Sequence, residues 1–206
     1  SREETLKMLA ERRVRELKEL VEAGRVIPEE FLAIAREIPD RPPRGELVID
    51  DGLIAAFLGC SKVDFSVRLE FVERLSLDLV TIDLGRGGPD ETADHPLRQI
   101  AQWRAHSDRF IMALIDGPFS RGLDRLGFEG FMLATIRSGA ELDNHLRQAS
   151  QACLSLALAA LDSGAQGIIL ADDIAYKQGL LTPPDFFRQR YFPALANLLE
   201  IGRAHV

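Results

Sequence analysis

The sequence predicts a parallel α/β fold, and three observations carry that prediction. Short apolar runs alternate with longer amphipathic stretches over most of the 206 residues. Each apolar run closes on an aspartate: Asp50, Asp83, Asp116 and Asp172. Finally, Ala165–Pro193 reads as a strand, a charged loop and a new helix in immediate succession.

The elements follow in order. Residues 2–23 carry Leu6, Leu9, Val14, Leu17, Leu20 and Val21 at helical spacing and stop at Gly24. Pro28-Glu29-Glu30 opens a second helix, which Pro39 ends. The pair predicts an N-terminal helical hairpin over 1–39, either packed on the core by one stripe or offered to a partner. Asp40–Gly45 is a stiff linker. Leu47-Val48-Ile49 predicts a first strand ending at Asp50, followed by helices over 53–58 and 65–75. The second strand spans 79–83. Gly85-Arg86-Gly87-Gly88-Pro89 after it lacks the spacing of a phosphate loop and reads as a mobile loop or an anion approach. A helix over 96–105 leads to the third strand, 109–115. Short helical segments near 119–126 and 130–135 and a long helix over 140–161 come next. The fourth strand spans 167–172, and its continuous apolar run predicts burial on both faces. Thr182 is placed to cap a last helix with Pro183, Pro184 and Asp185 in its first turn.

Composition excludes some classes of function. A net charge of −7 and a pI near 5.2 oppose a nucleic-acid or anionic-membrane partner. No apolar run approaches the ~20 residues of a membrane span, and the N-terminus lacks the apolar core of a leader peptide. Two distant cysteines, Cys60 and Cys153, match no metal spacing and predict a reducing compartment. A cytoplasmic protein is the expectation.

Acids at the ends of successive parallel strands would share one mouth, where they can stabilise a developing cation, move protons or ligate a hard metal. Turn capping is the competing use, and it is favoured for Asp50 and Asp116 beside glycine. Of the adjacent Asp172 and Asp173, only one can face inward. Arg121 and Arg125 follow the third strand end and suit either substrate carboxylates or surface ion pairs. His95 falls at a helix start, His106 and His145 on helix surfaces, and His205 near the end of the given sequence. No zinc-ligand spacing is present. Ser120 lies outside any GxSxG elbow.

Asp116-Gly117-Pro118-Phe119-Ser120, Gly164-Ala165-Gln166-Gly167, Asp172-Asp173, Gly179-Leu180-Leu181-Thr182-Pro183, Phe187-Arg188 and Pro193 form an ordered set. Through it, residues 46–206 resemble the uroporphyrinogen decarboxylase superfamily. That superfamily includes the decarboxylase of haem biosynthesis and zinc-dependent methyltransferases that work with corrinoid proteins. The resemblance implies a TIM-type (β/α) barrel with its site at the C-terminal strand ends, of which these residues supply about the first half. A complete half-barrel would be expected to form a homo-oligomer that covers its open edges. The resemblance further implies a small-molecule substrate: a tetrapyrrole, a corrinoid (possibly on a carrier protein) or a thiol.

Asp83 stands where the decarboxylase keeps the aspartate that stabilises its protonated pyrrole. Residues 47–60 lack the decarboxylase's arginines, and its tyrosine position falls near Asp124, with no tyrosine in the segment. Methyl transfer is therefore favoured over decarboxylation, and a non-catalytic half-barrel that binds a partner is the other class. No cofactor is expected within this chain. The methyltransferase branch keeps its zinc ligands mainly in later strands, so zinc is possible if the chain continues beyond Val206. The catalytic candidates are Asp83, Asp172 and Asp173; the substrate-binding candidates are Tyr176, Arg121 and Asp116.

Overall fold

A computed structural model describes residues 41–85, 96–137 and 139–196. The expected hairpin over 1–39, residues 86–89 of the glycine-rich stretch, His95 and His205 lie outside the described residues. Backbone contacts divide the chain into two compact units. One runs as far as Thr81 and includes Trp103–Ile111; the other holds Ile82–Gln102 and Met112 onward.

In the first unit, Asp50 is the N-cap of α1 (Asp51–Leu58), its carboxylate accepting from the Gly52 N–H at 2.7 Å. Gly59 closes that helix in the left-handed conformation at φ 69°. The expected strand over 47–50 is not formed, and Leu47 and Val48 are exposed. Capping decides this segment: an aspartate followed by Asp51 and Gly52 satisfies a helix start, while the three-residue apolar run finds no strand to pair with among the described residues. Asp64 caps α2 (Phe65–Arg74) in the same way, accepting from the Val67 N–H at 3.2 Å and the Ser66 hydroxyl at 2.7 Å.

The linker is tied down rather than free. Asp78, 7% exposed, pairs with the Arg41 guanidinium and accepts from the Arg44 N–H at 2.8 Å. Its own N–H donates to the Arg44 carbonyl at 2.7 Å. Gly45 lies so close to Leu79 that a Cβ there would overlap the leucine side chain.

The strands are β1 (Leu79–Gly85), β2 (Phe110–Asp116) and β3 (Gly167–Ala171), in the sheet order β1-β2-β3. β2 and β3 run parallel, with Met112 opposite Gly167 and Asp116 opposite Ala171. Between them come α3 (Pro96–His106), α4 (Pro118–Arg137) and α5 (Ala140–Asp162). The described strands are part of a parallel α/β sheet that does not close into a barrel. β1 alternates cleanly, burying Val80, Ile82 and Leu84 and turning Asp83 outward. β3 departs from expectation. All five of its residues are only partly buried, because β2 is its one partner among the described residues.

Gly127, at φ 70° and ψ 165°, breaks α4 into two arms, matching the two helical segments expected there. After β3, a tight antiparallel hairpin pairs β4 (Ala175–Tyr176) with β5 (Gly179–Leu180). The chain then enters α6 (Pro184–Phe186), passes through a π-turn (Phe187–Tyr191) and is α-helical again over 192–196. Thr182 does not cap this helix. Pro183 takes the N-cap position, and the Thr182 hydroxyl is buried without a partner. The second unit's core is aromatic: Phe119, Phe131, Phe186, Phe187 and Tyr191 pack with Leu142 and Leu146. Phe119 is at its centre, edge-on to Phe131 at 5.0 Å and stacked on Phe187 at 5.9 Å. Among the described residues, no helix is long and apolar enough to cross a membrane.

Candidate functional site at the strand ends

The C-terminal ends of β2 and β3 are joined by one side chain. Asp172 directly follows β3, and its carboxylate reaches the start of α4, accepting from the Phe119 N–H at 3.0 Å and the Ser120 N–H at 2.8 Å. These are first-turn amides with no intrahelical acceptor, at the positive end of a helix. Asp172 therefore caps α4 from 52 residues away in sequence. A third donor, the Tyr191 hydroxyl, completes the set at 2.8 Å. Gly117 leaves the room: a Cβ at that position would overlap the Asp172 carboxylate. Its N–H donates to the Ala171 carbonyl at 2.8 Å, which extends the β2–β3 pairing by one step.

Tyr191 arrives through the π-turn, whose wider spacing reorients side chains over a single turn. Its ring is buried in the aromatic cluster while its hydroxyl meets the carboxylate. Burial, and then the adjacent Asp172 charge, push the Tyr191 pKa far above the ordinary phenol value.

Behind the latch sit Arg121 and Cys153. The Asp116 carbonyl accepts from Arg121 Nε at 3.0 Å and from the Cys153 thiol at 3.3 Å. Burial raises the Cys153 pKa, against the opposing pull of the Arg121 guanidinium beside it. Arg121 Nη2 is buried and has no hydrogen-bond partner.

The structure thus draws Asp116, Arg121 and Asp172 together and separates the other candidates. Asp173 is exposed, the outward member of its pair, as alternation requires. Asp83 is exposed at the end of β1, where one carboxylate oxygen accepts from the Gly85 N–H at 2.8 Å. Tyr176 is 55% exposed on the β4–β5 hairpin. Two contributors lie outside the sequence-based candidates, Tyr191 and Cys153, and one residue departs from its expected place. His145 is buried, 7% exposed, where a helix-surface residue was expected. The signal was present, since Leu142, His145, Leu146, Ala149 and Cys153 recur on one helical stripe.

Among the described residues, no three His, Cys, Asp or Glu side chains converge as metal ligands. No family model, curated protein or solved structure matches the chain.

Proposed function

We propose that this chain is the N-terminal part of a uroporphyrinogen-decarboxylase-like (β/α) barrel enzyme, with its site at the C-terminal strand ends. The observation that carries this reading is the Gly117–Asp172 contact. Two of the stretches that carry the resemblance, Asp116–Ser120 and Asp172-Asp173, are far apart in the chain, yet Asp172 meets Gly117, Phe119 and Ser120 in the fold. A chance likeness of two short motifs gives no reason for them to meet. The half-buried apolar run of β3 is compatible with it, since among the described residues β3 is an edge of the kind that a further barrel strand would cover.

Within this reading, the residues divide by environment. Asp172 is a positioning residue, because its contacts tie the start of α4 and the Tyr191 hydroxyl to the end of β3. Asp83, exposed at the β1 end, is the acid available to a substrate, where it would stabilise developing positive charge. The unpartnered Nη2 of Arg121 is a donor suited to a substrate carboxylate. Tyr176 offers a ring and a hydroxyl from the hairpin. The substrate class is a tetrapyrrole or a corrinoid, and methyl transfer to a thiol is preferred over decarboxylation because residues 47–60 contain no arginine.

Absorbance titration of the full-length protein with methylcobalamin and, separately, with uroporphyrin tests the proposal. The expected result is saturable binding of methylcobalamin, with Asp83→Asn lowering turnover about tenfold or more and leaving the thermal midpoint unchanged. Tight binding of uroporphyrin alone would shift the assignment to decarboxylation. Binding of neither compound would remove the enzymatic reading. In its place would stand a partner-binding module, whose partner affinity disappears on deletion of residues 1–38.

A further inference from the structure

A second site lies away from the strand ends, in the hairpin formed by the outer arm of α4 and the start of α5. A pocket of about 400 Å³ opens there. Its lining includes the apolar side chains of Leu126, Leu133, Ala134 and Leu142 together with Arg125 and Arg137. Two features give it positive potential, and a third adds an acceptor. Both arginines bring positive charge, and the hydrogen bond from Arg125 Nη1 to the Gln148 side-chain oxygen, 3.1 Å, positions one of them. Gly139, also in the lining, is the N-cap of the 23-residue α5 and supplies no side-chain cap, so the positive end of that helix opens into the pocket. Finally, His145, 93% shielded from solvent by its 7% exposure, lines the same pocket with Nε2 unpartnered. One acid, Glu141, shares the lining.

The state of His145 narrows the ligand. Its ring bonds the Arg121 backbone, which accounts for Nδ1, and Nε2 is buried without a partner. Burial first, then the Arg125 charge, pull its pKa below the ordinary value; Glu141 and the Arg121 carbonyl oppose them. The neutral ring therefore presents a lone pair, which needs a donor. An unsatisfied buried acceptor of this kind is uncommon in folded proteins unless something fills the space.

We propose that this pocket binds a small organic acid whose apolar body carries one hydrogen-bond donor. The acid group meets Arg125, Arg137 and the N-terminus of α5; the donor, a hydroxyl or N–H, meets His145 Nε2; and the apolar body covers the lining leucines. Nothing in this site depends on the chemistry at the strand ends.

Calorimetric titration of the full chain with hydroxyisocaproate, isocaproate and hydroxyisocaproamide tests each element. Hydroxyisocaproate should saturate. Isocaproate, lacking the donor, should bind about tenfold more weakly. The uncharged amide should show no saturation. Arg137→Gln alters an exposed side chain, so it should leave the melting curve unchanged and reduce hydroxyisocaproate affinity about tenfold. Asp83→Asn should leave that affinity intact, which separates this pocket from the strand-end site. The proposal is overturned if none of the three compounds saturates, or if isocaproate binds as well as the hydroxy acid. Unchanged binding in both Arg125→Gln and Arg137→Gln would sink it as well.

Discussion

Each unit of the molecule is stitched by one aspartate, and the two do it by different physics. In the first unit Asp78 takes a guanidinium, from Arg41, and a single backbone N–H, from Arg44. In the second, Asp172 takes two helix-start amides and a phenol, all uncharged donors. Asp78 is thus neutralised by a partner cation, and the Arg41 hydrogen bond holds its carboxyl below the usual carboxylate range. Asp172 instead rests on fixed dipoles of the fold, and its negative charge is felt by its neighbours, Tyr191 above all. A charge pair can be broken from either side, whereas a dipole cradle is lost only with the carboxylate or with the glycine that admits it.

The largest effect should come from Asp172→Ala. It strands two helix-start amides and a buried hydroxyl at once, and the expected cost is about 3 kcal/mol, read from urea unfolding of the full chain. Asp172→Asn keeps one acceptor and should cost roughly half of that. If Asp172→Ala proves neutral, water replaces the carboxylate without penalty, and the contrast between the two stitches disappears.

Asp78→Ala comes next, at about 2 kcal/mol, since it removes the carboxylate that the Arg41 guanidinium and the Arg44 N–H both engage; the Arg41 side chain is 41% exposed, so solvent recovers part of the loss. Here pH offers a second handle. A folded pKa held below the unfolded value means the stabilisation is complete above about pH 4 and is lost as pH falls through the folded pKa. Acid titration of the parent and of Asp78→Asn should therefore diverge at neutral pH and converge at low pH. Curves that stay parallel throughout would show that the Arg41 pairing contributes nothing measurable.

The same contrast explains what could be read from the chain beforehand. Alternation and turn chemistry located α1, α2, the three strands and the long α5 to within a few residues, because these signals are local. The Gly127 break was legible for the same reason: glycine there interrupts a helical pattern. Long-range capping was not. Nothing near Asp172 reveals that its donors are Phe119 and Ser120, and nothing near Tyr191 announces a π-turn that aims its hydroxyl at a strand end. Local signals also misled where tertiary context was needed. Leu47–Asp50 has the composition of a strand but no strand partner among the described residues, and the apolar run of β3 predicts two covered faces where, among the described residues, one flank is paired. His145, expected on a helix surface, is buried, and its spacing from Leu142 and Ala149 places it on the buried stripe.

The smallest of these effects, and the finest probe of the dipole cradle, is Tyr191→Phe. The ring stays in the aromatic core and only the hydroxyl is lost, so the expected cost at neutral pH is about 1 kcal/mol. The alkaline limb carries the sharper information. The folded pKa of Tyr191 is raised by burial and by Asp172, so the unfolded chain gives up this proton first. Stability from this group is then complete below about pH 10, the unfolded phenol value, and declines as pH rises above it. Tyr191→Phe should remove that decline and Asp78→Asn should leave it, measured as the urea midpoint between neutral and strongly alkaline pH. A parent midpoint that does not fall above pH 10 more steeply than that of Tyr191→Phe would mean that the phenol is not held protonated beside Asp172. The latch would then reduce to the two amides of α4.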